Sequence, residues 1–148
     1  MIIRLQPDQV PLFWKDVKQW MFISHDVDDI HKQDFSIDIL TKILLGDMGL
    51  WLGYYLVGED KHMNYICITT ILNNIVTNKN SLYIHTFYPI EDPTLLLLRE
   101  LYMDLSKYGL ANECEVIVFE SMDERVCDIS NVLGFNCTSK KYTSVIKE

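Results

Sequence analysis

Between Ser81 and Phe119 the sequence reads strand, helix, strand, and no other stretch restricts the fold as strongly. Ser81-Leu-Tyr-Ile-His-Thr-Phe-Tyr88 has the composition of a buried strand. It runs through Pro89-Ile-Glu-Asp92 into a helix from Pro93 to Lys107, with Gly109 placed to end it, and Cys114-Glu-Val-Ile-Val-Phe119 follows as a second strand. A helix between consecutive strands implies a right-handed crossover and a parallel strand pair. A strand that feeds a helix N-terminus also presents free N–H groups and the positive end of the helix dipole, which suit an anion. Here the turn carries Glu91 and Asp92 and no glycine, so the shape of an anion site lacks the matching chemistry. Asp92 is expected to cap the helix, with Pro93 at its first position.

The remaining elements follow from periodicity. Ile2 to Leu5 is a short strand, and Val10, Phe13, Trp14, Val17, Trp20 and Met21 recur at helical spacing. Ser24 to His31 breaks that pattern as an acidic loop. Ser36 is expected to cap a second helix whose inward face is Ile37, Leu40, Ile43 and Leu44, ending at Gly46. From Met48 the period becomes two, giving strands Met48–Val57 and Tyr65–Leu72 around the turn Gly58–Lys61. Ser121-Met-Asp-Glu124 matches a capping box for a helix buried through Val126, Ile129, Val132 and Leu133, which Gly134 stops. Phe135–Cys137 and Lys141–Lys147 read as a closing antiparallel pair. The expected architecture is one α/β domain over residues 1–148, a mixed central sheet of about six to seven strands with about four helices on both faces.

Composition removes several function classes. The formal net charge is −8, from 21 acidic and 13 basic residues. A nucleic-acid binder needs a basic face, so that class is excluded. No apolar run approaches the roughly 20 residues that span a bilayer, and the N-terminus lacks a signal-peptide pattern. The expected location is the cytoplasm. The four cysteines share no short spacing and read as reduced thiols, Cys67 and Cys114 within strands. His25-Asp-Val-Asp-Asp-Ile-His31 gathers two imidazoles and three carboxylates, but so short a loop does not converge them on an ion unaided, and no metal is expected.

The order of elements, together with the ending Val132-Leu-Gly-Phe135 before a strand containing Tyr142, resembles the GNAT superfamily of N-acetyltransferases over nearly the whole chain. In that family an Arg/Gln-x-x-Gly-x-Gly/Ala loop opens the helix after the fourth sheet strand and cradles the diphosphate of acetyl-CoA. The counterpart here is Pro89-Ile-Glu-Asp-Pro-Thr94, which has neither glycine nor base. The family often carries a tyrosine four residues before the Gly of Leu-Gly-Phe as the acid for the departing thiolate. Here that position is Ser130, a shorter and weaker acid.

The resemblance therefore implies two functions. The first is a divergent binding or structural protein that has lost normal acetyl-CoA binding, expects no cofactor and engages an unknown protein partner. Small phage-encoded proteins of this kind are similar, which would place it in a virion or in host cytoplasm. The alternative is an N-acetyltransferase moving an acetyl group from acetyl-CoA to an amine substrate. Its catalytic candidates are His85 as base, with Ser130 or Tyr142 as acid. Its cofactor-binding candidates are Phe87, Tyr88 and Thr94, at the strand end and helix start. An open gap between the strands at Ser81–Tyr88 and Cys114–Phe119 would suit the alternative. A gap filled by side chains would suit the first.

Overall fold

The computed structural model describes residues 1–120, 124–135 and 144. Its elements are β1 (Ile2–Arg4), α1 (Val10–His25), α2 (Lys32–Leu44), β2 (Met48–Val57), β3 (Asp60–Asn74), β4 (Lys79–Pro89), α3 (Leu95–Ala111), β5 (Cys114–Phe119) and α4 (Glu124–Val132). The sheet has the order β1-β2-β3-β4-β5; β1 to β4 pair antiparallel and β4–β5 pair parallel. The parallel pair is the one the strand–helix–strand reading requires. Five strands are present among the described residues, against the six to seven expected. The expected closing pair, with Tyr142, falls almost entirely outside them, as does the Ser121 end of the capping box.

Each face of the sheet carries two helices. On one, Leu50, Leu52, Ile66 and Ile68 pack against Val10, Val17, Met21 and Phe22 of α1 and Ile39 and Ile43 of α2. On the other, Trp51, Tyr65, Cys67 and Leu82 pack against Leu98, Leu101 and Leu105 of α3, with Ile129 and Leu133 at the α4 end. The alternation along β2 and β3 assigns neighbouring residues to opposite layers, as a sheet covered on both sides demands.

Two register shifts interrupt that alternation. Ile68 pairs with Thr86 while Thr69 pairs with Ile84, so His85 is the extra residue of a β-bulge in β4. Leu82 and Ile84 lie on the α3 side. After the bulge Phe87 lies on that side too, while Tyr88 joins the α1–α2 layer. In the same way Gly53 pairs with Tyr65 and Tyr54 with Met63, leaving Asn64 as the extra residue of β3.

Several local expectations shift. Ser36 lies inside α2, its hydroxyl donating to the Gln33 carbonyl at 2.9 Å, because the helix already starts at Lys32 behind a 3₁₀ turn at Asp29–His31. The buried face of α2 runs through Ser36, Ile39 and Ile43, and Ile37 and Leu44 are exposed. Val132 of α4 is likewise exposed. α1 extends through His25, so the acidic loop begins only at Asp26, in the left-handed region at φ 48°. Gly109 does not end α3 but lies buried within it, where a Cβ would come 3.5 Å from that of Cys114. The helix stops instead at Asn112, whose side-chain amide donates to the Tyr108 carbonyl at 2.8 Å.

Gly53 lets the Tyr65 ring lie across β2: a Cβ at that position would clash with the ring. Gly53→Ala is expected to lower stability by about 2–3 kcal/mol, the cost of overpacking a buried strand pair. Urea unfolding read by tryptophan fluorescence measures it, and an unchanged midpoint would show that the ring is not seated on the glycine.

Candidate functional site

The β4 bulge brings two imidazoles onto one buried hydroxyl. Thr86, 2% exposed, lies beneath the C-terminal end of α1. Its Oγ1 is 2.6 Å from His25 Nε2 and 2.7 Å from His85 Nδ1. The two imidazole rings stand 4.8 Å apart, and Phe35 of α2 lies against both, at 5.5 Å from His25 and 6.4 Å from His85. A hydroxyl has one proton, so when both rings are neutral one receives it and the other donates its own N–H to the oxygen. The tautomers of His25 and His85 are thereby complementary.

Electrostatics keep this pair neutral. His85 is half-buried and its pKa falls from 6.5 to about 4, first through loss of solvent, then through His25 and Lys42, with Asp38 pulling weakly the other way. Burial lowers His25 as well, although its outer side is exposed. A neutral imidazole at neutral pH can accept a proton. With His85 Nδ1 held on Thr86, Nε2 is the nitrogen left for an incoming donor. His85 was a sequence candidate without a partner, and the structure supplies two. His25 was missed as a site residue because its sequence neighbourhood is an acidic loop and its partners lie 60 residues away.

The other candidates separate. Phe87 points to the α3 side, its ring 5.6 Å from that of Tyr65, whereas Tyr88 packs on the α1–α2 layer, so their side chains do not share one ligand. Their backbone does share an edge. β4 pairs with β5 only from Asn80 to Ile84, and among the described residues nothing extends the pairing along His85–Pro89. Thr94 is the N-cap of α3, its Oγ1 accepting the Leu97 N–H at 3.2 Å; the cap lies two residues later than the expected Asp92, and Pro93 precedes the helix. The extended backbone of Thr94, at φ −106° and ψ 159°, brings its hydroxyl onto the Leu97 N–H, so the helix opens there and not at Asp92. Ser130 is 7% exposed and its hydroxyl donates to the Val126 carbonyl at 2.6 Å, so its proton is committed to its own helix. Tyr142 lies outside the described residues.

On the α3 face, where the β4–β5 pairing ends, Ile84, Phe87, Leu98, Leu101, Ile117 and Phe119 line an apolar cavity of about 40 Å³. At the start of α3, Glu91 accepts the Tyr55 hydroxyl at 2.8 Å, a bond that raises the Tyr55 pKa. Leu95 and Leu96 are the remaining amides of the first turn, because the Leu97 N–H is used by Thr94. Among the described residues no group of three or more His, Cys, Asp or Glu is placed to hold a metal. No helix there is long and apolar enough to cross a membrane.

The whole arrangement has close counterparts in solved structures. A probable acetyltransferase superposes with a TM-score of 0.75 at 12% identity, over 100% of this chain and 99% of that one. This chain has the GNAT fold. A predicted acetyltransferase from Clostridium acetobutylicum, solved with acetyl-CoA, gives a TM-score of 0.71 at 11% identity, over 98% of this chain and 95% of that one. AAC(6')-Iy in complex with the bisubstrate analogue CoA-S-monomethyl-acetylneamine gives 0.68 at 11% identity, over 99% and 97%. No protein-family model and no curated protein matches the sequence.

The histidine pair sets a pH dependence of stability. His85 has a lower pKa folded, about 4, than unfolded, 6.5, so the unfolded chain binds more protons between those values. The stabilisation is complete above pH 6.5 and is lost as pH falls towards 4. The urea midpoint is expected to fall over that window in the wild type, and less in His85→Gln. Parallel pH profiles for the two proteins would refute the assignment.

Proposed function

We propose that the protein is an N-acyltransferase that moves an acyl group from a thioester donor to an amine, with His85 as the base. The observation that carries this reading is the hydrogen-bonded chain His85–Thr86–His25 at the bulge where β4 leaves β5. An amine protonated at neutral pH must lose that proton before its lone pair can attack a carbonyl, and a neutral imidazole on the bulge is the group to take it. Thr86 can then receive the His85 Nδ1 proton while passing its own to His25 Nε2. A charge gained in a half-buried position would thereby be delivered to an exposed one. The GNAT fold of the neighbours supports the reaction class, and two of them were solved with acetyl-CoA or a CoA-containing analogue.

The fit to a CoA thioester is uneven. The β4 edge at His85–Pro89 offers backbone groups to an extended acyl-bearing arm. The α3 start offers two amides beside Glu91 and Asp92, a poor seat for a diphosphate. The apolar cavity of about 40 Å³ on the α3 face also requires side chains to move before an arm enters. A second reading rests on these last two observations: a GNAT-fold binding or structural protein without a cofactor, whose partner is another protein.

Titration calorimetry with acetyl-CoA separates the two. Micromolar to low-millimolar binding, with thiol release in the presence of a polyamine or aminoglycoside, is expected from the first reading. His85→Gln should then lower the rate about 10²–10⁴-fold while leaving donor affinity unchanged. No binding at millimolar donor would overturn it in favour of the second.

A further inference from the structure

On the α3 face, across the sheet from the histidine pair, a polar recess of about 230 Å³ opens between the start of β2, the middle of β3 and the last turns of α3. Arg4, Asp47, Gly49, Thr69, Thr70 and Tyr108 line it. We propose that this recess binds a small organic monocarboxylate, with the Arg4 guanidinium as its counter-ion.

Arg4 is exposed, lies over two aromatic rings and has no ion-pair partner among the described residues. Its guanidinium carbon lies 4.9 Å from the Tyr108 ring centre and 5.9 Å from that of Trp51, and the two rings meet edge to face at 5.0 Å. In a chain with 21 acidic residues, no carboxylate among the described residues forms an ion pair with it. A cation placed over aromatic faces keeps its N–H groups for another partner, and a guanidinium can receive a carboxylate bidentately.

The floor is built to the same end. Thr69 is 1% exposed and accepts the Trp51 indole N–H at 2.9 Å, which uses an oxygen lone pair and leaves the hydroxyl proton to give. Thr70 is committed elsewhere, donating to the Asp47 carbonyl at 3.0 Å. Gly49 keeps the floor low: a Cβ there would stand 3.0 Å from Arg4 Nε, 3.1 Å from Trp51 Nε1 and 3.2 Å from Thr69 Oγ1. The recess thus offers one cation, one buried hydroxyl donor and an aromatic wall. The exposed Asp47 carboxylate lines the recess as well and opposes the Arg4 charge, so a singly charged acid is repelled less than a phosphate dianion. The recess is small for a ligand site, which limits the occupant to a small acid.

The test uses the full chain with benzoate, its neutral isostere benzamide, and inorganic phosphate, read by tryptophan fluorescence and thermal shift. Benzoate is expected to bind and to raise the melting temperature, with benzamide and phosphate at least tenfold weaker. Arg4→Gln should weaken benzoate at least tenfold, the loss expected for a charge-assisted pair. Asp47→Asn, a surface change that leaves the core untouched, should tighten it, and keeps the proposal testable if the Arg4 variant folds poorly. No benzoate binding at tens of millimolar, equal binding of benzamide, tighter binding of phosphate, or an Asp47→Asn variant with unchanged affinity would each overturn the proposal.

Discussion

The extra residue at His85 is the constraint on which the rest of the structure depends. Without it, strict alternation would put Thr86 and Tyr88 on the same face as Leu82 and Ile84, under α3. With it, Phe87 takes that place and Thr86 and Tyr88 turn to the α1–α2 layer. The bulge thereby completes two different cores from one strand. It also falls where the β5 pairing ends, since the last β4–β5 partners are Ile84 and Phe119. Bulges bend a strand and raise its local twist, and a strand that bends at this point exposes the edge of its last residues. The bulge at Asn64 answers it on β3: Met63 and Tyr65 face opposite layers although two residues apart.

The charge distribution follows from the same geometry. The half-buried part of the bulge holds imidazoles that are neutral at neutral pH, and the carboxylates stay in water. Asp38 and Asp29 pair with Lys42 and Lys32 on exposed helix turns, where such pairs contribute little to stability. Glu91 takes the Tyr55 hydroxyl at the start of the turn before α3. That turn is built for the helix: the Thr94 cap stabilises by about 1 kcal/mol. An anion delivered to the same place would meet two carboxylates and only two amides. The helix and a diphosphate therefore compete for one set of N–H groups, and the sequence from Glu91 to Thr94 favours the helix.

How much of this was readable from the sequence depends on the range of the interaction. Strands Met48–Val57 and Cys114–Phe119 and the core of α3 follow from period and composition, because burial on both faces is written into consecutive residues. The parallel β4–β5 pair follows from the helix between them. Ile37 and Leu44 were misplaced because apolar spacing alone does not choose which face of a helix packs on the sheet, and α2 buries Ser36, Ile39 and Ile43. The bulge left no local mark: Leu82, Ile84, Thr86 and Tyr88 alternate without a break, and neither a glycine nor a proline stands at His85. His25 was invisible as a site residue for a related reason. Its partner Thr86 is 61 positions away, and only the face exchange at the bulge points that hydroxyl towards α1.

Two threonines stand out among the aliphatic side chains at the centre of the sheet, and comparing them shows why the histidine pair is held together. Thr69 and Thr86 are 1% and 2% exposed, on opposite faces of adjacent strands and one register step apart. A hydroxyl taken from water without a partner costs about 1–3 kcal/mol on mutational scales. Thr69 avoids that cost with one rigid donor, the Trp51 indole, which never changes its proton count. Thr86 has only imidazoles to turn to, and both can gain a proton. Its hydroxyl is satisfied whichever neutral ring donates, because it can reverse its own O–H in response. The same oxygen could accept from both rings if both were charged, but two imidazolium rings 4.8 Å apart and partly desolvated repel, which is one of the causes that lower His85. The arrangement is therefore stable in its two neutral tautomers and in either singly protonated form, and strained in the doubly protonated one. A hydroxyl that reverses between two bases, one half-buried and one exposed, moves a proton without moving an atom heavier than hydrogen.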